Sequence, residues 1–455
     1  ILGLILIAAV WPLSELPGIS GIPLPGYVAT FALFAGFSLL SPFFLRFIGR
    51  RVSPMLRRAF GEPAHLAGRY LKESGTRVAV SVGSLITAVA LFSALVIMIH
   101  SFRGTVEIWV TQTVSGDLFV TPRLGEVNRH RNVFPQATAD ALETMAPDAD
   151  TVPFRRFYLT YGATAYQFEA IDFAPFLRHG GYLWIAGDPD ASRTALVNGD
   201  GCIVSEVFAN RTGLKPGDRF RDHVAGRVLE IPILGIIRDY RSQGGVVFFS
   251  LPRFQAERSA AGLAVQTDEW SGIRYFFKPG AGDTETTVQA LITCIIDRFG
   301  DQVSHISGRE LRRNILRVFD ETFAITTVLL IIALIVAALG IATTLAVSVL
   351  ERSHHLNTIF AVGGSYGQIR SMIFWEASLM VLAGELFGLL CGLILSWLLV
   401  FVINRQSFGW TFIYGIDWPS LAYAMPLIFA AALMAALPAV RMVFRHPPAT
   451  LLRER

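Results

Sequence analysis

Long apolar runs constrain this chain more than any other feature of its sequence. About 20 apolar residues in an α-helix cross the hydrocarbon core of a bilayer, and such a helix makes its backbone hydrogen bonds internally. Six runs are long or apolar enough to be interpreted in this way: residues 1–13, 28–47, 78–100, 323–350, 372–402 and 420–440. The sequence therefore predicts an α-helical membrane protein with about six spans, of which the first is incomplete.

Composition indicates that the protein is more than a membrane bundle. Of its 455 residues, 53% are hydrophobic and 16% are charged, which is more apolar than an ordinary soluble domain but more charged than membrane helices alone. The opening run is shorter than one span, so we interpret it as part of a helix that begins before residue 1. A signal peptide is the alternative, but neither the basic residues expected before its apolar stretch nor a small-residue cleavage site after it is present.

Basic residues between the runs predict the orientation of the spans. Residues 46–77 contain eight Lys or Arg against two Glu, and four Arg follow residue 440, whereas residues 14–27 contain no Lys or Arg. Because Lys and Arg are enriched in cytoplasmic loops, we expect the first of these segments, the C-terminal tail and residues 351–371 inside, and residues 101–321 outside. The basic residues gather at the borders of the runs and form no stripe with aromatic residues, so nucleic acid is not a predicted partner.

Residues 101–321 are numerous enough to form their own hydrophobic core, and their patterns predict an α+β domain. Alternating or continuously apolar stretches predict strands at residues 117–122, 165–173, 227–237, 245–251 and 273–279. Ser205 is predicted to cap a short helix that Gly213 ends, and a longer helix is predicted over residues 284–299.

No pattern in this outer domain is typical of catalysis or of metal binding. The nine histidines have no HExxH motif and no metal-ligand spacing, and Ser205 has no G-x-S-x-G elbow around it. Cys202 and Cys294 are the one pair that would be able to form a disulfide, but nothing else in the sequence suggests a cystine framework, and Cys391 lies in an apolar run. Residues 238–240, Arg-Asp-Tyr, are interpreted as an ion pair and a turn at a strand edge.

A polar segment, ERSHHLNTIFAVGGSYGQIRSMIFWEA, separates two of the most apolar runs at residues 351–377. Residues 354–362 have the length of about two helical turns, Gly363 and Gly364 would end this helix, and Ser365 would cap the next one. The sequence thus predicts a short, exposed helix that is rigidly joined to two spans at their cytoplasmic ends. Another protein is able to push on such a helix.

This segment and the run after it resemble the C-terminal signature of FtsX-like permeases, of the MacB and lipoprotein-releasing type of ABC transporter. The matching residues are Glu351, Arg352, Ala361, Gly363, Ser365, Ile369, Ile373, Glu376 and Ala377. The chain departs from the family pattern at His354, where a basic residue is usual, at His355 and Leu356, where Glu-Ile is usual, and at Gly364, where Ala is usual. Residues 65–85, 101–122, 204–245 and 438–455 are also similar to parts of the long members of this family.

The resemblance implies the C-terminal part of a ten-span permease in a bacterial inner (plasma) membrane, with its large domain in the periplasm. The implied order is two linking helices (1–49), a basic connection and entry helix (50–77), a membrane helix (78–100), the periplasmic domain (101–321), a membrane helix (322–350), a coupling helix (351–371), two membrane helices (372–441) and a basic tail (442–455). The spans on either side of the periplasmic domain are expected to continue into it as stalk helices.

The resemblance also implies that a cytoplasmic ABC ATPase dimer binds the coupling helix. The implied coupling residues are Glu351, Arg352, His354, His355, Asn357, Ile359, Ala361, Gly363, Gly364 and Ser365. The chain has no G-x-x-x-x-G-K-[ST] loop, and its three lysines, Lys72, Lys215 and Lys278, do not follow glycines. We therefore expect ATP and Mg to bind to the separate ATPase subunit, with no cofactor and no enzymatic activity in this chain.

The run 372–402 contains a row of evenly spaced glycines and one carboxylate. Gly384, Gly388 and Gly392 recur every four residues, which places them on one helix face and allows another helix to approach closely. Glu385 lies in the same run, where a carboxylate is unfavourable unless it is paired or hydrated. Glu385 is therefore either a functional group that faces a cavity or a protonated contact within the bundle.

The expected function is transmission of ATP-driven motion to the periplasmic domain, which would act on a lipid, a lipoprotein or a hydrophobic compound. Membrane lipid is an expected partner in that case. One alternative is a regulator that does not transport and that activates a periplasmic or cell-wall hydrolase. Another is a membrane receptor without an ATPase.

Overall fold

A computed structural model describes residues 1–19, 22–125, 127–224, 226–262, 270–278, 284–351, 358 and 363–442. The chain divides into two compact units. Unit 1 comprises Ile1–Phe102, Glu321–Ser407 and the chain from Thr411, and unit 2 comprises Arg103–Asp320 and Phe408–Trp410. Unit 2 thus begins and ends within two residues of the predicted outer domain, and it also includes a short segment that the sequence assigns to a loop between spans.

Three helices precede the first strand: α1 (Leu2–Glu15), α2 (Leu24–Phe60) and α3 (Glu62–Gln112). In α2, Ala29, Leu33 and Phe37 recur at helical spacing and are buried, so this face lies in the core of unit 1. Helix α2 ends at Gly61, whose φ of 81° is a left-handed conformation that glycine adopts without strain. Helix α3 then runs for 51 residues and contributes to both units.

Ten strands of unit 2 form one mixed sheet over the described residues. They are β1 (Leu118–Pro122), β2 (Ala149–Tyr161), β3 (Thr164–Ile171), β4 (Leu183–Gly187), β5 (Cys202–Ser205), β6 (Arg219–Val224), β7 (Arg227–Arg238), β8 (Val246–Ser250), β9 (Gly272–Phe277) and β10 (Val303–Ser307). The five predicted strands are confirmed as β1, β3, β7, β8 and β9, with ends shifted by up to two residues.

The sheet order is β10-β1-β9-β2-β3-β8-β5-β7-β4, with β6 paired to β7. Most neighbours are antiparallel, whereas β3–β8 and β5–β7 are parallel. Strand β3 lies in the middle of the sheet, and its residues from Tyr166 to Ile171 are all buried. The polar residues of this strand, Gln167 and Glu169, are therefore buried together with its apolar ones.

Six helices accompany the sheet: α4 (Gln136–Thr144), α5 (Phe173–His179), α6 (Pro189–Asn198), α7 (Glu206–Thr212), α8 (Leu251–Ala260) and α9 (Thr284–Phe299). The two helices predicted from the sequence are confirmed as α7 and α9. Helix α7 ends at Gly213, which has a φ of 76° and donates its backbone N–H to the carbonyl of Ala209. This is the left-handed end that a glycine after the last helical residue predicts.

The chain continues with α10 (Gly308–Glu351), α11 (Tyr366–Trp397), a π-helical segment (Leu398–Ile403), α12 (Asn404–Phe408) and α13 (Trp418–Met442). Helix α10 is 44 residues long and, like α3, contributes to both units. Ser365 caps α11 as predicted. Its Oγ accepts a hydrogen bond from the Gln368 backbone N–H, and the Gln368 side chain accepts one from the Ser365 N–H.

Three described segments are long and apolar enough to cross a membrane: Leu24–Arg58, Ala79–Gln112 and Tyr366–Phe408. Helix α1 and Trp418–Met434 are apolar but shorter, and the predicted span 323–350 lies within α10. Unit 1 also exposes large apolar side chains, such as Phe31, Leu390 and Leu427, along these helices. Surfaces of this kind are typical of lipid or protein contact, and the count of six spans stays a prediction.

Candidate functional site

A buried cluster of charges lies at the centre of the sheet in unit 2. Glu169 on β3 is fully buried and accepts hydrogen bonds from three guanidinium groups. Its Oε2 lies 3.0 Å from Arg156 Nε and 2.8 Å from Arg241 Nη1, and its Oε1 lies 2.9 Å from Arg274 Nη2. Arg156 is directly opposite Glu169 on the neighbouring strand β2, so the register of the sheet places this pair together.

A second carboxylate completes the cluster. Asp239 is 1% exposed, and its Oδ2 lies 3.0 Å from Arg241 Nε and 2.9 Å from Arg241 Nη2. The interpretation of residues 238–240 as an ion pair and a turn is therefore correct in kind, but the partner of Asp239 is Arg241 rather than Arg238. The ion pair also continues into the core through Arg241, because this one guanidinium bridges Asp239 and Glu169.

The arginines determine the protonation state of Glu169. Burial by itself raises the pKa of this carboxyl. The charges of Arg156, Arg241 and Arg274 together lower this pKa by a larger amount, so it lies well below its ordinary value. Burial is also the main reason why the pKa of Arg274 falls, to about 10, which leaves its guanidinium charged at neutral pH. Glu169 and Arg274 are therefore both charged at neutral pH, and removal of Glu169 would leave three buried guanidinium groups without the carboxylate they share.

A cavity of about 480 Å³ lies beside this cluster, within unit 2. Arg156, Arg241 and Arg274 line one part of it, and most of the remaining wall is apolar. The apolar wall comes from the end of α3, from β1 and the loop after it, from β10 and from the start of α10. Leu124 in that loop has a φ of 59°, a left-handed conformation that is uncommon for a residue other than glycine.

This cluster was not predicted from the sequence, although the sequence contains a signal for it. Glu169 and Arg274 are the charged residues inside strands that are otherwise uncharged, in the stretches AYQFEAI and GIRYFF. A charge inside a buried strand requires a partner of opposite sign. Which charge pairs with which depended on the strand order, because β9 and β3 are not neighbours in the sheet.

Ser205 has the structural role predicted for it. It is fully buried, and its Oγ accepts hydrogen bonds from the backbone N–H of Phe208, at the start of α7, and from that of Val246, at 3.3 and 2.8 Å. We expect Ser205→Ala to lower the free energy of unfolding of unit 2 by about 2 kcal/mol, since two buried donors lose their acceptor. Hydrogen exchange at the amides of α7 and β8 would measure this loss of stability. Asp188→Ala removes the exposed cap of α6 and should lower stability by about half as much.

In unit 1, the three glycines of α11 contact α3 at equally spaced positions. A Cβ added to Gly388 would lie 2.7 Å from Val89 Cβ, and one added to Gly392 would lie 2.8 Å from Ser93 Cβ and 2.9 Å from the Ala90 carbonyl oxygen. Gly384 faces the side chain of Leu85 in the same way. The two helices therefore approach so closely that these positions have no space for a side chain.

Glu385 lies next to this glycine face on α11. Its side chain is 8% exposed, and among the residues that the structure describes none is within hydrogen-bonding distance of its Oε1. A buried carboxylate oxygen without a partner is unfavourable for stability.

Most of the predicted coupling residues lie outside the described part of the chain. This applies to Arg352, His354, His355, Asn357, Ile359 and Ala361. Glu351 is the last residue of α10, and Gly363 has a φ of 106°, a backbone conformation in which a glycine ends a helix readily. Gly364 and Ser365 follow directly and lead into α11.

The three cysteines of the chain are free. Cys202 is buried in β5, Cys294 is exposed on α9 and Cys391 is buried in α11. The Cys202–Cys294 disulfide, which the sequence did not favour, is thus not formed.

Comparison with known proteins shows which family the chain resembles. Residues 327–448 match the model of the FtsX-like permease C-terminal domain. The ABC transporter permease protein Rv0987 of Mycobacterium tuberculosis is 26% identical over 94% of this chain and 49% of its own length. The macrolide export ATP-binding/permease protein MacB of Sodalis glossinidius is 33% identical over 18% of this chain and 13% of its own length. The chain therefore spans half or less of the curated relatives it matches.

Two solved structures also match part of the chain. The extracellular domain of the noncanonical ABC-type transporter YknZ from Gram-positive bacteria is 12% identical, with a TM-score of 0.29 over 42% of this chain and 99% of that domain. The periplasmic region of MacB from Actinobacillus actinomycetemcomitans is 9% identical, with a TM-score of 0.31 over 44% of this chain and 92% of that region. The resemblance of the C-terminal signature is confirmed by the family match: residues 327–448 contain an FtsX-like permease domain, and the chain is homologous to permeases of ABC transporters.

Proposed function

We propose that this chain is a permease subunit that transmits motion from a cytoplasmic ATPase to unit 2, which acts on a lipid, a lipoprotein or a hydrophobic compound. The observation that carries the proposal is the FtsX-like permease domain at residues 327–448, which begins within α10 and continues through α11. Helices α3 and α10 support it, because each is one continuous helix with residues in both units. A continuous helix transmits displacement along its axis without a hinge.

The proposal assigns ATP to a partner. Residues 351–365 would contact an ABC ATPase dimer that holds ATP and Mg, and this chain would hold no cofactor and would catalyse no reaction. Unit 1 would span the bacterial inner membrane, and unit 2 would lie in the periplasm. The asymmetry of Lys and Arg around the apolar runs supports this orientation.

A cross-link between α3 and α10 tests the proposed transmission. Arg103 on α3 and Asp320 on α10 form an exposed ion pair at 3.3 Å, so cysteines at both positions lie within reach of a short cross-linker. In a Cys294→Ser background, Arg103→Cys with Asp320→Cys would be bridged by a reducible bis-methanethiosulfonate. We expect the bridge to lower ATP turnover of the ATPase that copurifies in mild detergent by about 10-fold or more, and a reductant to restore it.

The matched control is Arg103→Cys with Glu107→Cys. Glu107 is exposed one turn further along the same helix, so this bridge carries the same chemistry without joining α3 to α10. ATP turnover that is unchanged by the first bridge, or lowered equally by both, would contradict transmission through these helices. Absence of any copurifying ATPase would contradict the proposed partner.

Glu385 is proposed to act in this cycle rather than in folding. Its Oε1 has no hydrogen-bond partner in the described structure, and residues that are unfavourable for stability are characteristic of functional sites. We expect Glu385→Gln to leave the free energy of unfolding unchanged or raised by about 1 kcal/mol, while ATP turnover falls. Unchanged turnover in a folded Glu385→Gln protein would exclude the functional role.

A further inference from the structure

The cavity in unit 2 has two chemically different parts. Its basic part consists of Arg156, Arg241 and Arg274, whose side chains are 12%, 19% and 4% exposed. Its apolar part includes Phe119 on β1, Leu124 and Val127 in the following loop, and Ile306, Leu311 and Ile315 on β10 and α10. A cavity that is basic at one place and apolar elsewhere is complementary to an amphiphile with a negative group.

The charges of the cluster do not balance within the described structure. Three guanidinium groups, those of Arg156, Arg241 and Arg274, face the two carboxylates of Glu169 and Asp239, which leaves one positive charge in excess. Excess charge at a buried position is unfavourable unless a group of opposite sign compensates it. A negative group in the cavity would provide that compensation.

Two buried N–H donors on the cavity wall also lack acceptors. Trp109 and Arg274 are each 4% exposed and both line the cavity. Neither Trp109 Nε1 nor Arg274 Nε has a hydrogen-bond partner among the residues that the structure describes. Buried donors are nearly always paired in proteins, so an acceptor other than the described residues is expected here. Anionic oxygens are strong acceptors for both groups.

We propose that this cavity binds a single-chain anionic amphiphile, with its carboxylate or phosphate oxygens at Arg156, Arg241 and Arg274 and its alkyl chain along the apolar wall. The volume of about 480 Å³ lies within the range of small-molecule sites, which is roughly 300–1,000 Å³. It fits one chain rather than a large multi-chain lipid. This proposal rests on the proposed function and deepens it by naming a ligand class for unit 2. Binding of the ligand needs no ATPase, so an experiment is able to contradict either proposal while the other stands.

Photo-labelling of the full chain in nanodiscs tests the site. Three probes of the same chain length would carry a diazirine: a fatty acid, an alkyl phosphate and the neutral fatty alcohol. Labelled peptides would be identified by mass spectrometry. We expect the two anionic probes to label peptides that contain residues 118–127 and 303–315 at least about 10-fold more than the alcohol does. Preference for one anion would then tell whether a carboxylate or a phosphate is the natural head group.

Two variants separate the contributions of the cavity wall and of its charge. Ile315→Trp fills the apolar part without changing the charged cluster, and it should lower labelling by both anions about 10-fold or more. Ile296→Trp on the exposed side of α9 is the matched control and should label as the parent chain does. Arg156→Gln should lower labelling by the anions and leave that by the alcohol unchanged, and hydrogen exchange of β3 would verify that unit 2 remains folded.

Labelling that does not reach these peptides would overturn the site. Equal labelling by the alcohol would overturn its preference for anions, and labelling that survives Ile315→Trp would place the ligand elsewhere. Loss of ATP turnover in the cross-linked protein bears on transmission alone. Conversely, a chain that binds the anionic probes but associates with no ATPase would retain the site and lose the proposed function.

Discussion

Glu169→Gln is expected to destabilise unit 2 more than any other single substitution in the charged cluster. The substitution removes the one carboxylate that compensates Arg156, Arg241 and Arg274 together, and Glu169 is fully buried. Loss of one partner from a buried ion pair lowers stability by about 3–5 kcal/mol, because the remaining charges stay buried. Hydrogen exchange at the amides of β3 and β9 would measure this loss as a lower free energy of opening.

An exposed ion pair provides the control for this substitution. Glu230 and Arg219 are joined at 3.1 Å across β6 and β7, with side chains that are 45% and 64% exposed. Exposed pairs contribute little to stability, so Glu230→Gln should change the free energy of opening by less than about 1 kcal/mol. Equal effects of the two substitutions would show that the buried cluster does not stabilise unit 2.

The same cluster predicts a dependence of stability on pH. The pKa of Glu169 is lowered in the folded protein, whereas the pKa of a Glu in the unfolded chain is about 4.3. Its stabilising contribution is therefore complete above about pH 4.3 and is lost as the pH falls toward the lowered pKa of the folded protein. The difference in opening free energy between the parent chain and Glu169→Gln should accordingly be constant from pH 7 to pH 5 and decrease below that range.

The second large effect is expected for Gly392→Leu in unit 1. A Cβ at this position would lie 2.9 Å from the backbone carbonyl oxygen of Ala90, and a backbone atom cannot rotate away as a side chain can. The larger side chain must therefore separate α11 from α3. Overpacking lowers stability by about 1–3 kcal/mol, and a leucine at a helix contact lies at the upper end. Thermal unfolding in detergent, followed by size-exclusion chromatography, would measure the effect.

Gly104→Leu is the matched control. Gly104 lies on α3, the helix that Gly392 of α11 contacts, and no atom is within 4 Å of a Cβ added at Gly104. Leucine is a better helix former than glycine, so this substitution should leave stability unchanged or raise it by about 0.5–1 kcal/mol. Gly384→Ala is expected to lie between the two, since the atoms near Gly384 belong to the side chain of Leu85. A Gly392→Leu protein as stable as Gly104→Leu would contradict close packing of α3 and α11.

The strands that the sequence patterns did not predict were missed for a common physical reason. Strand β5 has only four residues, CIVS, and an apolar run of that length does not distinguish a strand from a turn of helix. Strand β2 contains Pro153 next to Arg155 and Arg156, residues that are uncommon in a central strand. Both strands exist because neighbours in the sheet supply their hydrogen bonds, as β9 and β3 do for β2. Such neighbours lie far apart in the sequence.

Local patterns were sufficient for the features that depend on residues close in sequence. The caps at Ser205 and Ser365, the end of α7 at Gly213 and the four-residue spacing of Gly384, Gly388 and Gly392 each involve residues within about two helical turns of one another. The apolar runs belong to the same class, because hydropathy is additive along the chain. The sequence alone therefore determined α7 and α9, the strongest strands and the resemblance of residues 327–448 to the FtsX-like permease domain.

Only the tertiary structure decided which charges meet and which surfaces enclose space. Glu169, Asp239 and the three arginines come from four separate segments, and nothing in the local sequence states that β9 lies beside β2 or that residue 241 reaches β3. The cavity likewise required the ends of α3 and α10 to meet the loop after β1 within one unit. Long-range pairing arises from the order of strands in the sheet, and that order is a property of the whole domain rather than of any segment.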